Sequence, residues 1–263
     1  MVSSGEHEPW LERCRDWVRR YPIVLPEYWD NPNGPVNTYT LVETLAELAN
    51  PEDLIVPGSS GPASDHVMQA WRVKPGQRVL NAPGLGAMGT GIPGTLGACV
   101  ASNRRRTLCL NGDGGFQLNI QELETIHRLN LPIKFFVLDN GGYGSIMAMQ
   151  RGYFAGRYVA SESASGLTFP DLEKVAQAYQ LATDRIETQG EMPEGVRRVL
   201  ERPGPVVCVV RVDPLQPTAP RVTSSLRDDG MVVSNPMEDM APFLDREELR
   251  ANMLGKSPSK DDQ

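Results

Sequence analysis

A single carboxylate is bracketed by glycines in the run Asn111-Gly112-Asp113-Gly114-Gly115. A run of the same character, Asp139-Asn140-Gly141-Gly142-Tyr143-Gly144, comes later, with 24 residues between Gly114 and Asp139. That is the length of a helical crossover between parallel strands. If the two strands are sheet neighbours, the side-chain oxygens of Asp113 and Asn140 converge on one point. A carboxylate, an amide oxygen and a nearby backbone carbonyl are hard donors of low total charge. They suit Mg²⁺, which keeps octahedral oxygen ligands and shares phosphate oxygens with the protein. Glycines at 112, 114, 115, 141 and 142 let the backbone approach phosphate with no Cβ in the way. Backbone N–H groups near Gly114-Gly115 and at Ser59-Ser60 can take the remaining oxygens, helped by helix N-termini.

A competing pattern lies upstream. Gly84-x-Gly86-x-x-Gly89 follows an apolar segment and precedes a helical one, which spells the dinucleotide fingerprint. Alone it is weak. It leaves unexplained why glycines crowd two further strand ends and why Asp113 is embedded between Gly112 and Gly114. The four cysteines (Cys14, Cys99, Cys109, Cys208) have no CxxC or His-paired spacing and read as small buried hydrophobes. His66 reads as a helix-surface residue, His127 as structural, and Arg104-Arg105-Arg106 as a solvated loop.

These loops need a scaffold. The chain has 263 residues, 40% of them hydrophobic and 22% charged, enough for a sizeable core. Its formal net charge of −7 argues against nucleic acid as the main partner. No run of about 18 apolar residues predicts a membrane span. The segment MVSSGEHEPW lacks the apolar core of a signal peptide, so the cytoplasm is expected. Residues 1–36 read as an amphipathic helix and a Pro-rich connector. Residues 37–212 alternate helix and strand. Strands are expected at Leu54-Ile55-Val56, Arg78-Val79-Leu80, Thr107 to Leu110, Ile133 to Leu138 and Val206 to Val210. Helices are expected at Gly86 to Ala101, Leu118 to Leu129, near 170–180 and at 193–201. Apolar strands separated by helices predict an α/β fold, a doubly wound parallel sheet with helices on both faces. Residues 213–263 form a polar extension: little periodicity from Arg221 to Glu238, a short helix from Asp245 to Met253, and a disordered tail.

The string GLGAMGTGIPGTLGA…NGDGGFQLNIQELETI…LPIKFFVLDNGGYG resembles the C-terminal, diphosphate-binding domain of the acetolactate synthase family. The resemblance runs roughly from Trp10 to Val212. It implies that thiamine diphosphate and Mg²⁺ are cofactors, with Asp113, Asn140 and the Gly142 carbonyl holding the metal. It sets Gly58, Ser59, Ser60, Gly114 and Gly115 against the diphosphate, and Gly86, Gly112 and Tyr143 around the cofactor. Met88 matches the bulky apolar residue that props the cofactor in its bent conformation. Two departures stand out. The family's paired Asn-Asn is Asp139-Asn140 here, and its Gln- and His-bearing loop reads Gly58-Ser59-Ser60-Gly61. Met149 aligns with a tryptophan that narrows the acceptor pocket, so it marks a substrate position able to admit a larger acceptor. The stretch from Pro220 to Leu249 resembles relatives that attach a two-carbon branch from pyruvate to keto sugars.

The family's activating glutamate belongs to a pyrimidine-binding domain, and no glutamate here is assigned that role. A second subunit carrying that domain is therefore expected, in a hetero-oligomer such as a heterotetramer. The implied reaction is decarboxylation of pyruvate and transfer of its two-carbon unit to an acceptor ketone, either a bulky one such as a keto sugar or a second pyruvate. The alternative is a subunit of a split thiamine-dependent 2-oxoacid decarboxylase.

Overall fold

The computed structural model describes residues 7–82, 84–227 and 231–253. The chain divides into two compact units between Gln216 and Pro217. The first holds six parallel strands in the order β2-β1-β3-β4-β6-β5. These are β1 (Leu54–Pro57), β2 (Arg78–Val79), β3 (Thr107–Gly112), β4 (Ile133–Asp139), β5 (Ala182–Ile186) and β6 (Val206–Arg211). Helices α1 (Glu8–Arg20), α2 (Thr38–Leu48), α3 (Pro62–Ala70), α4 (Gly91–Ala101), α5 (Asp113–Phe116), α6 (Glu122–Arg128), α7 (Gly144–Tyr153), α8 (Leu172–Ala178) and α9 (Met192–Glu201) connect or precede them.

Strands β1, β3, β4 and β6 are buried on both faces, which explains their unbroken apolar runs. Side chains alternate with the period of two that a strand imposes. Leu108, Leu110, Phe136 and Leu138 face one core with Leu41 and Leu45 of α2, Val67 of α3 and Val196 and Val199 of α9. Cys109, Phe135 and Val137 face a second core with Ile92 and Cys99 of α4, Leu123 and Ile126 of α6, and Leu172 of α8. The doubly wound parallel sheet expected from the sequence is therefore present.

Topology fixes where a ligand can enter. The chain runs from β1 outward to β2, then returns to the other side of β1 to form β3. The strand order reverses between β1 and β3. Ligands of open α/β sheets bind at such a reversal, outside the carboxyl ends of the strands. The register pairs Asn111 with Val137 and Gly112 with Leu138. Asp113 thus leaves β3 level with the end of β4, as the crossover length predicted.

Several expectations need correction. Strand β5 reads Ala-Thr-Asp-Arg-Ile, too polar to be recognised, because it is an edge strand with half of its surface toward water. The helix expected from Gly86 begins at Gly91 (positive φ at Gly86 and Gly89 keeps the preceding turn open). The helix expected from Leu118 begins at Glu122, after α5 and a 3₁₀ turn over Gln117–Asn119. The Arg104–Arg106 run is only partly solvated: Arg106 makes a two-pronged pair with the buried Asp53, at 2.8 and 2.5 Å, across the starts of β3 and β1. His66 is the clearest reversal. It is fully buried on α3, and its ring stacks on Tyr39 with centroids 3.9 Å apart. Of the cysteines, Cys99, Cys109 and Cys208 are buried and free, and Cys14 is partly buried and free.

The second unit, from Pro217 onward, contains an antiparallel pair that periodicity did not show, β7 (Ser224–Leu226) with β8 (Val232–Ser234). It also contains α10 (Arg246–Asn252), capped by the Asp245 carboxylate, which accepts from Glu247 N and Glu248 N. The tail expected to be disordered, residues 255–263, lies outside the described residues. No described helix is long and apolar enough to cross a membrane.

Candidate cofactor site

Asp113 is the residue at which β3 becomes α5, and it is buried. Its Oδ1 accepts from Gly114 N at 2.6 Å. Its Oδ2 accepts from the backbone N–H groups of Asn140, Gly141 and Gly142 at 3.2, 2.9 and 3.3 Å. One carboxylate thereby staples the loop after β4 to the end of β3. Gly141 meets this demand with a φ of +71°, which an L side chain rarely adopts. Asn140 Oδ1 accepts from Gly142 N at 3.3 Å, so Asp113, Asn140 and Gly142 form one polar cluster.

The electrostatics of that cluster are unbalanced. Burial pushes the Asp113 carboxyl up to about 7; its backbone hydrogen bonds pull down, and the neighbouring Asp139 charge pushes up again. Asp139 itself pairs with Arg185 of β5 at 3.5 Å. The recorded partners of Asp113 are backbone N–H groups, and no cationic side chain is among them. A buried carboxylate in this state is favourable ground for a cation.

Around the cluster the glycines do specific work. Tyr143 and Met88 meet over Gly114: a Cβ there would lie 2.6 Å from the Tyr143 ring and 2.8 Å from the Met88 methyl. Tyr143 also meets Phe169 edge-on, with centroids 5.5 Å apart. Gly58, directly after β1, is buried against Ala63 and Leu110 O. Ser59 is partly buried, with its carbonyl 3.4 Å from where a Gly86 Cβ would lie. Gly112 precedes Asp113 in extended conformation, and Gly115 packs on the Asn111 side chain. Ser60 and Met149 are exposed, the latter on α7, and neither enters these contacts. The half-buried His127 lies in the last turn of α6. Sequence reasoning missed Asn111, Phe169 and Arg185. For Asn111 there was a signal, a lone amide closing the apolar run Leu108-Cys109-Leu110.

A family model described as "Thiamine pyrophosphate enzyme, C-terminal TPP binding domain" matches residues 60–210, more than half of the chain. The chain belongs to that family. As a thiamine pyrophosphate enzyme domain it is 29% identical over 215 residues to the acetolactate synthase large subunit of Cyanidium caldarium, covering 80% of this chain and 34% of the relative. It is 30% identical over 229 residues to acetolactate synthase 2, chloroplastic, of Zea mays, covering 84% and 35%. It is 25% identical over 232 residues to the isozyme 1 large subunit of Escherichia coli strain K12, covering 88% and 40%. The chain thus spans about a third of the length of these relatives. Among solved structures, a thiamine diphosphate-dependent 4-hydroxybenzoylformate decarboxylase of Rhodococcus jostii RHA1 shares the fold, with a TM-score of 0.59, 22% identity, and coverage of 68% of this chain and 33% of that one.

The residues of this TPP-binding domain fit a diphosphate held through a divalent cation. The donors at the end of β3 and β4 are a carboxylate and an amide oxygen. Among the described residues no group of three or more His, Cys, Asp and Glu side chains could hold a metal. A hard cation here would therefore complete its shell with carbonyl and phosphate oxygens, as Mg²⁺ prefers. The fit depends on close backbone approach. A Cβ at Gly142 would lie 2.5 Å from Ser161 O and 2.7 Å from Met147 Sδ. Gly142→Ala is expected to destabilise the chain by about 1–3 kcal/mol through overpacking and to weaken Mg²⁺ binding. Urea unfolding and a Mg²⁺ titration check both.

Proposed function

We propose that this chain supplies the diphosphate-and-metal half of an acetolactate-synthase-like carboligase. The observation that carries the reading is the buried Asp113 carboxylate, which gathers the Asn140–Gly142 loop through backbone N–H groups alone. Asp113, Asn140 and the Gly142 carbonyl would hold Mg²⁺. Gly58, Ser59, Ser60, Gly114 and Gly115 would offer backbone and hydroxyl donors to the diphosphate, and Met88 and Tyr143 would wall the cofactor. Bound thiamine diphosphate supplies an electron sink for decarboxylation of a 2-oxoacid. This chain's part is to bind, to neutralise the diphosphate charge, and to keep its orientation fixed. The substrates are pyruvate and an acceptor ketone, and the exposed, flexible Met149 favours a bulky acceptor such as a keto sugar. The activating glutamate comes from a second subunit with a pyrimidine-binding domain, in a cytoplasmic hetero-oligomer.

The test is reconstitution. The chain alone should show a Mg²⁺-dependent thermal shift with thiamine diphosphate but no turnover of pyruvate. Addition of a polypeptide bearing the pyrimidine-binding domain should restore turnover, with carbon–carbon bond formation when the ketone is supplied. Turnover by the chain alone would remove the partner from the scheme. Aldehyde release without coupled product would turn the reading into a decarboxylase.

A further inference from the structure

Asn111 is the last residue but one of β3, and only 3% of it is exposed. Its Nδ2 has no hydrogen-bond partner among the described residues. An orphan donor in a dry place is costly, and native structures keep one only for a reason. An apolar side chain would avoid the cost, and Leu108, Cys109 and Leu110 just before it are all apolar.

Three glycines close around this amide. A Cβ at Gly91 would lie 2.4 Å from Nδ2, one at Gly115 would lie 2.8 Å from Oδ1, and one at Gly58 would lie 3.2 Å from Oδ1. The three come from different segments: the turn after β1, the first residue of α4 and the turn of α5. Two of them follow β1 and β3, the strands that flank the reversal of strand order. The amide is thus wedged between three segments at the reversal of strand order, where open α/β sheets have their ligand crevice, and it sets how closely the three backbones approach one another.

We propose that Asn111 is a positioning residue for a bound diphosphate: it gauges the spacing of the three loops, and its Nδ2–H donor is completed by the anionic group that fills the crevice. This rests on reading the crevice as the diphosphate site. It explains why a buried donor is retained without a protein partner, and why glycine stands at 58, 91 and 115 together.

Stability and affinity should then move apart. In Asn111→Leu the orphan donor is gone, so the cofactor-free chain should melt at the wild-type temperature or above it. Its Kd for thiamine diphosphate with Mg²⁺ should rise about tenfold, the scale of one lost hydrogen bond to a charged group. Binding of thiamine, which has no diphosphate, should not change. Asn111→Asp keeps the shape, replaces the donor by a charged acceptor, and should weaken thiamine diphosphate further; it decides the matter if the leucine variant does not fold. Calorimetric titration of the full chain gives each Kd, and scanning calorimetry without cofactor gives each Tm. Wild-type affinity for thiamine diphosphate in the variants would overturn the proposal, as would parallel loss of Tm and of affinity for thiamine and its diphosphate alike. If the wild-type chain itself ignores thiamine diphosphate and Mg²⁺, the functional reading falls, and this inference falls with it.

Discussion

Replacing Asp113 by Ala should lower the affinity for thiamine diphosphate in the presence of Mg²⁺ by more than about 100-fold, since even residues that only support a metal ligand are worth about 10- to 100-fold. Two losses combine. The cation loses its carboxylate, and the loop after β4 loses the acceptor that gathers Asn140 N, Gly141 N and Gly142 N. Asp113→Asn separates them, because it keeps an acceptor oxygen and removes the charge. Without metal, burial holds the Asp113 carboxyl at about 7, against 3.8 in the open. Between those values the folded chain binds the proton that the unfolded chain releases. Stability therefore falls as pH rises through that window, and the cost is fully present above pH 7. The asparagine variant escapes it. Metal-free Asp113→Asn should melt several degrees above wild type at pH 8 and close to it at pH 4, and it should lose the Mg²⁺ response. Scanning calorimetry at both pH values, with and without Mg²⁺ and thiamine diphosphate, reads all of this. Unchanged cofactor affinity in Asp113→Ala would refute the ligand assignment.

The same logic joins Asp113 to Asn111. Each is a buried polar group at the carboxyl end of β3, and neither is compensated by a charged or polar side chain. Asn111 lies on the α4 side of the strand, continuing the alternation of Cys109. A core strand that ends in two such groups gives up stability at that end. The fold can hold them because β3 is central, with β4 paired to it from Thr107 to Gly112 and β1 from Thr107 to Leu110.

What the sequence revealed follows from which interactions are local. The apolar runs of β1, β3, β4 and β6 announce themselves because both faces are buried, so no polar alternation interrupts them. The spacing from Asp113 to Asn140 was readable because a single helical crossover, α5 to α6, joins the two neighbouring strands. Strand β5 was invisible because Thr183, Asp184 and Arg185 meet water or ion partners at the sheet edge. Asn111 was passed over because its environment is made of glycines from three distant segments, which only topology brings together. His66 was misplaced for a related reason. It follows Ser64 and Asp65, which reads as a polar helix face, while the Tyr39 ring that covers it arrives from α2.

That buried histidine gives the second large effect, at acid pH. Burial pushes the His66 imidazole down to about 3, from 6.5 in the open. Between those values the unfolded chain takes up a proton that the folded chain refuses. The stability that goes with the neutral ring is complete above pH 6.5 and is lost as pH falls toward 3. At pH 4.5 the loss is about 3 kcal/mol, from two units at about 1.4 kcal/mol each. For a chain of this size that corresponds to a Tm drop of roughly 5–10 °C. His66→Leu keeps an apolar side chain of similar volume on Tyr39 and removes the proton site. Its Tm at pH 7 reflects the changed packing, but its decline from pH 7 to pH 4.5 should be shallower than that of wild type by that amount. Equal declines would mean that the folded chain accepts the proton at His66. The consequence reaches the site, because α3 is the helix into which Gly58-Ser59-Ser60-Gly61 leads, and Gly58 N donates to Ala63 O in its first turn. Because the folded chain takes that proton only with α3 opened, acid should weaken diphosphate binding over the same range in which it destabilises the chain, and His66→Leu should move both declines to lower pH.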